Sequence, residues 1–185
     1  MRLGTLDWSP ALDHVDLLAA PVVARLRDAV EQGGEHAQAA HAVLATPIDP
    51  DLADTAAMTE AYELPLEISG NCVLVAGSRA GEERVAACVV RATTRADVNT
   101  TVRKRLDVRK ASFLPMETAV ADSGMAYGGI TPIGLPARYR VMVDASLVDA
   151  EHVIIGSGTR GSKLVLPGSA LVLLTDAEVV EGLGR

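Results

Sequence analysis

At 185 residues and a net charge of −7, the chain is one domain's worth of sequence, long enough for a sizeable core and an N-terminal addition. Hydrophobic residues make up 49% but aromatic ones only 3%, so the core must be built from Val, Leu, Ile and Ala, which suits sheets with short helices on them. No apolar run approaches the ~20 residues of a membrane span, and the acidic balance excludes a general nucleic-acid coat protein.

In chain order, Met1 to Pro10 lacks a basic stretch followed by an apolar one, so no secretory signal is expected. Ser9-Pro10 opens a helical pattern with apolar residues at Val15, Leu18, Val22, Leu26 and Val30. Pro21 inside it predicts a kink or two helices meeting. Residues 1–40 are therefore expected as a helical extension packed on a core domain over 41–185. His41–Ala45 reads as a strand and Asp54–Tyr62 as a helix. Cys72–Ala76 reads as a buried strand, Gly77–Glu83 as a turn, and Val85–Val90 as the hairpin partner. A helix is predicted over Asp97–Leu106, a short strand over Lys110–Phe113, and a helix over Pro115–Ala121 with Met116, Ala119 and Val120 inward. After a Gly-rich loop at Gly124–Gly134, strands are predicted at Arg140–Asp144, His152–Gly156 and Lys163–Leu166, then a helix around Leu171. Short strands alternating with helices give a mixed α+β domain. The crossover helices are too few for a doubly wound sheet.

Charge is unevenly spread. Residues 91–110 carry +5 while the rest of the chain carries −12. Arg103, Lys104, Arg105 and Arg109 could meet RNA phosphates, or form an ordinary solvated helix face. Cys72 and Cys88 sit in strand-like runs with no CxxC and no nearby His, which points to two free thiols in a reducing compartment and away from a zinc site. His14, His36, His41 and His152 show no metal-ligand spacing, so no metal is expected.

Two glycine-rich stretches are the chemical candidates. In Gly124–Gly134, the adjacent Gly128 and Gly129 can offer bare main-chain N–H groups to a carboxylate, phosphate or oxyanion. In Gly156-Ser157-Gly158-Thr159-Arg160-Gly161, a strand ends in small residues, the usual make-up of a pocket rim, and Arg160 suits a phosphate. The GxGxxG spacing there precedes a strand rather than a helix, so a dinucleotide site is not the reading.

The run Tyr127-Gly128-Gly129-Ile130-Thr131-Pro132-Ile133-Gly134 resembles the signature loop of the YbaK/ProX group of aminoacyl-tRNA editing domains. Asn71-Cys72-Val73-Leu74-Val75-Ala76 is similar to that family's first core strand, Ile155–Gly161 to its strand-then-glycines element, and Asp54-Thr55-Ala56 to the segment before the first core strand. The similarity covers roughly residues 45–180. It implies a strongly bent mixed β-sheet or barrel surrounded by helices. It also implies metal-free and cofactor-free hydrolysis of the ester between an amino acid and the tRNA 3′ ribose, by a cytoplasmic protein whose partner is charged tRNA, not DNA or a membrane.

One departure matters. The family's substrate-positioning lysine corresponds to Asn71, which hydrogen-bonds but carries no charge. Lys163 is the candidate substitute cation, with Arg160 second. Asn71, Gly128, Gly129 and Lys163 are expected in catalysis, and Ile130, Thr131, Pro132, Gly156, Ser157, Gly158 and Arg160 in substrate binding. The alternative is a non-catalytic module that binds a small molecule or an aminoacyl end. A homodimer is allowed by the sequence but not read from it.

Overall fold

The computed structural model describes residues 1–185. Its strands are β1 (Arg2–Leu3), β2 (Leu6–Asp7), β3 (Ser9–Pro10), β4 (Leu44–Pro47), β5 (Gly70–Arg79), β6 (Glu82–Arg91), β7 (Ala111–Phe113), β8 (Tyr139–Asp144), β9 (Val153–Gly156), β10 (Ser162–Leu166) and β11 (Glu178–Val180). Its α-helices are α1 (Ala20–Gln32), α2 (Gly34–His41), α3 (Thr55–Ala61), α4 (Arg103–Arg105), α5 (Met116–Ser123) and α6 (Gly168–Thr175). No helix is long and apolar enough to cross a membrane.

The mixed α+β architecture is present as two main sheets. One is antiparallel, in the order β3-β4-β10-β9; the other is mixed, in the order β11-β8-β6-β5-β7. The β5–β6 hairpin is the spine. Alternation along it sends Leu74, Val85, Ala87 and Val89 into one core cluster and Val75, Ala86, Cys88 and Val90 into another. This is why VAACVV carries no polar residue: both faces of β6 are covered, as in a buried strand. Helices α1, α2 and α6 close the first cluster through Leu26, Ala40 and Leu171, and the segment 98–108 closes the second through Val102 and Leu106.

Several local expectations are corrected. Two 3-10 turns, Ala11–Asp13 and Val15–Leu17, precede α1, and Pro21 sits in the helix's first turn rather than at a kink. There its missing N–H costs no intrahelical bond. The hairpin turn is only Ala80-Gly81, with φ of 53° and 84°; positive φ at both central residues matches strand twist, so pairing runs to Arg79 opposite Glu82. Asp97 takes the Thr100 and Thr101 N–H groups, and the turn that follows winds as a π-helix over Val98–Val102 before α4. Met116 is 53% exposed rather than inward; α5 buries Ala119 as expected, leaves Val120 half-buried, and buries Ser123 as well.

The feature that positions the site is a split beside β5. This strand pairs with β6 throughout, but with β7 only from Val75 to Gly77. Its start meets β9 through a single bridge, Ser69 to Ile154. Ser69 O accepts from Ala92 N–H, and Leu74 O accepts from Leu114 N–H on the opposite side. Antiparallel alternation therefore turns the main-chain groups of Cys72 away from β6, into the gap.

Candidate active site

The gap between β5 and β9 opens into a cleft of about 600 Å³. Its walls are the start of β5 with Asn71 and Cys72, the end of β9 with Gly156, Lys163 of β10, the start of α3, and the loop residues Tyr127, Gly128 and Ile130, with Arg160 at one side.

Helix α3 begins here because Asp54 caps it, accepting from the Ala56 N–H at 3.0 Å. The same segment holds both polar residues of the cleft floor. Thr55 Oγ1 donates to Asn71 Oδ1 at 2.9 Å, and Lys163 Nζ donates to Ala53 O at 2.9 Å. The Asn71 amide nitrogen makes no hydrogen bond within the chain, and an ammonium with three donors has spent only one on Ala53. Lys163 is only 6% exposed, yet no carboxylate lies within ion-pairing distance of it. Burial pushes its ammonium below the ordinary lysine range; the Asp54 carboxylate opposes that shift and the Arg160 guanidinium adds to it. An isolated cation held out of water is a costly arrangement that an anionic or strongly dipolar ligand would relieve.

Arg160 spans the rim. Its guanidinium donates to Tyr127 O at 3.2 Å and Pro50 O at 3.0 Å, and it too has no carboxylate partner. Gly128 beside it adopts φ +81°, and a Cβ there would lie 2.7 Å from Arg160 Nη1. Its N–H makes no hydrogen bond within the chain, so it remains a main-chain donor at the wall.

Gly129 and Gly156 have a different reason. A Cβ on Gly129 would lie 2.2 Å from Thr159 O, and one on Gly156 would lie 2.3 Å from Gly129 O. The two glycine stretches are pressed backbone to backbone, locked by Gly158 N–H to Gly129 O at 2.8 Å and Ala126 N–H to Gly158 O at 2.9 Å. Gly129's own N–H is taken by Ala126 O at 2.9 Å.

The structure thus brings Asn71, Gly128, Ile130, Gly156, Arg160 and Lys163 to one cleft. It does not bring Gly129, Thr131, Pro132, Ser157 or Gly158 to that wall. Ser157 is fully buried in a hydroxyl cluster with Thr159 and Ser162, the last donating to Leu17 O. Thr131 is fully buried too, its N–H directed at Met125 Sδ. Pro132 faces a separate hollow beside Arg25 and Leu135, and Gly158 packs on Ala19. Arg103, Lys104, Arg105 and Arg109 lie outside the cleft; Arg103 donates to Asn99 O, and Arg105 pairs with Glu178 of β11. Thr55 and Tyr127 had no role assigned from the sequence, although both lie inside runs that resemble the family. Their partners come from other elements, and local sequence does not show those.

No His lines the cleft, and its one thiol is a poor nucleophile. Burial, then the neighbouring Cys88, pushes the Cys72 thiol far above its ordinary value; burial pushes Cys88 up to about 12. The arrangement holds cations, a neutral amide and bare main-chain donors. Such a set can bind and polarise a carbonyl or phosphate without covalent catalysis.

Among solved structures, the chain superimposes on one described provisionally as a trans-editing enzyme for prolyl-tRNA synthetase, with a TM-score of 0.70 and 17% identity over 91% of this chain and 99% of that one. A protein described as hypothetical gives a TM-score of 0.71 at 17% identity, over 87% and 99%. The same fold, at TM-score 0.54 and 18% identity, covers 89% of this chain and 30% of a larger one described provisionally as a signal transduction protein from Marinobacter aquaeolei VT8. These likenesses show the fold. The family model for the aminoacyl-tRNA editing domain matches residues 49–174, more than half of the chain and every cleft residue named above, so the chain belongs to the aminoacyl-tRNA editing domain family.

Proposed function

We propose that this protein is a trans-acting deacylase that hydrolyses the ester joining a wrong amino acid to the 3′ ribose of a tRNA. The observation that carries the reading is Lys163, a buried, unpaired cation tied to the segment that also holds Asn71. In this reading Lys163, from β10, supplies the positive charge that the family places at the Asn71 position. Its two unspent donors face the ester carbonyl as negative charge develops there. Asn71 adds a neutral donor, and Arg160 takes a phosphate near the terminal nucleotide.

The step needs only water. Its oxygen attacks the carbonyl carbon, the bond from that carbon to the ribose oxygen breaks, and the ribose oxygen takes up a proton. The neighbouring ribose hydroxyl, or the substrate's own side chain, can assist the water. An aminoacyl ester is already activated, so orientation and oxyanion stabilisation suffice. The work belongs where charged tRNA is, in the cytoplasm.

Arg103, Lys104, Arg105 and Arg109 are proposed to meet acceptor-stem phosphates, with Lys104 and Arg109 the more accessible because Arg105 is engaged by Glu178. Changing Arg103 and Lys104 to Ala should weaken tRNA binding and flatten its salt dependence. An unchanged salt slope removes these residues from the interface.

The reading is tested with a panel of mischarged tRNAs, following ester loss over time. Loss on at least one of them, absent in Asn71→Ala, supports the deacylase. Tight binding with no turnover would instead favour a binding module, the reading that the uncharged Asn71 keeps open.

A further inference from the structure

The chain has five aromatic residues, and four of them are used up or lie elsewhere. Trp8 is 2% exposed. The Tyr62 hydroxyl accepts from Asp49 N–H at 2.9 Å, and the buried Tyr139 donates its hydroxyl to Asp122. Phe113 lies on β7 and does not line the cleft. Of the five, Tyr127 alone lines the cleft; the residue is 58% exposed and its hydroxyl bonds nothing in the chain. Leaving an aromatic ring in water forgoes the gain of burying it. Its backbone, in contrast, is fixed: the Tyr127 carbonyl accepts from Arg160, which is itself anchored on Pro50 O, and the chain turns sharply at Gly128 just after it.

An exposed aromatic residue whose main-chain carbonyl is held by an unpaired guanidinium, at the wall of a cleft with a buried cation, matches one ligand chemistry. It is a planar base with a phosphate attached. Building on the deacylase reading, we propose that Tyr127 is the platform on which the terminal adenine of the tRNA stacks, while Arg160 takes the adjoining phosphate. Tyr127 is then a positioning residue. It sets where the ribose lies, and through it the ester, relative to Lys163. Stacking accepts any base face, so specificity for the amino acid would come from the cleft and not from this contact.

The test crosses the side chain with the base. Hydrolysis of an aminoacylated tRNA minihelix ending in adenosine is compared with the same substrate made abasic at its last nucleotide, for the wild type and for Tyr127→Ala. Wild type should lose about 5- to 150-fold in KM when the base is removed, the range of one base–aromatic stack. Tyr127→Ala should show that loss already on the intact substrate, with no second loss on the abasic one and kcat changed far less than KM. Tyr127→Phe and Tyr127→Trp should restore wild-type behaviour, since each keeps the ring. If base removal and Tyr127→Ala lose affinity independently, so that the two losses add, or if Phe fails to restore, Tyr127 is not the platform. Equilibrium binding of the uncharged trinucleotide CCA separates this inference from the deacylase reading. Wild type that binds CCA more tightly than Tyr127→Ala supports the platform even if no ester is cleaved. Equal binding by both overturns it whatever the hydrolysis assay gives.

Discussion

Gly129→Ala should unfold this protein at a distinctly lower temperature, because the two glycine stretches that build the cleft have no room between them. The added Cβ would lie 2.2 Å from Thr159 O and 2.5 Å from Thr159 C, both backbone atoms, which cannot rotate aside as a side chain would. Reaching even 3.0 Å requires the stretches to part by 0.8 Å. That movement strains the bonds from Gly158 N–H to Gly129 O and from Ala126 N–H to Gly158 O, at 2.8 and 2.9 Å. Overpacking costs about 1–3 kcal/mol, and a weakened internal hydrogen bond adds about 1 kcal/mol. A total of roughly 2–4 kcal/mol lowers Tm by about 4–16 °C in a chain of this size. Gly161→Ala is the control in the same stretch: its Cβ would meet only Pro50 Cγ at 3.8 Å, and its φ is not positive, so its stability should stay within about 0.5 kcal/mol of wild type. The assay is thermal or urea unfolding by circular dichroism. Equal melting of Gly129→Ala and wild type would refute the backbone-contact argument, as would a loss in Gly161→Ala as large as in Gly129→Ala.

The remaining predictions concern charge and reactivity. The Lys163 ammonium is held below its ordinary value by burial, so above the folded value the unfolded chain binds more protons and wild-type stability rises with pH toward 10.5. Lys163→Met lacks that contribution. Its stability relative to wild type should be greatest near pH 7 and narrow as pH approaches 10.5, read from urea unfolding at a series of pH values; a gap that widens with pH contradicts the burial account. Both thiols are held protonated, so iodoacetamide at pH 8 should label native Cys72 and Cys88 far more slowly than the urea-unfolded chain, followed by mass spectrometry. Native labelling of Cys72 at the unfolded rate would show its thiol to be an available nucleophile in the cleft.

The positions of the core strands, though not their order in the sheets, were largely legible because buried strands have so few ways to be written. VAACVV and CVLVA cannot be solvated, and the glycines and prolines around them mark the breaks. The limits of the hairpin were not legible. Gly77 to Glu83 looks like a turn by composition, yet paired backbone carries it as strand to Arg79 and again from Glu82, leaving the turn to Gly81 and to Ala80, a residue that seldom takes a positive φ. Strand β11 escaped notice because Glu178–Val180 is short and pairs with β8, far away in sequence.

At the site, residue types were readable and directions were not. Gly128 and Gly129 are adjacent and chemically identical, but one faces the cleft while the other faces a second loop; only the tertiary approach of Thr159 decides between them. Ser157 offers a hydroxyl in a promising stretch, but Ser162 and Thr159 consume it. Lys163 follows the glycines in sequence, but its isolation from carboxylates appears only in the folded chain, where its ammonium meets the Ala53 carbonyl just before α3.

The most direct measurement is single-turnover ester hydrolysis on the best mischarged tRNA, comparing wild type with Lys163→Met, each first shown to be folded by its unfolding curve. The account predicts that the folded Met variant still binds the tRNA but loses about 10²-fold or more in the hydrolysis rate, the scale of removing one oxyanion-stabilising group. A folded Lys163→Met that cleaves the ester at the wild-type rate would contradict it.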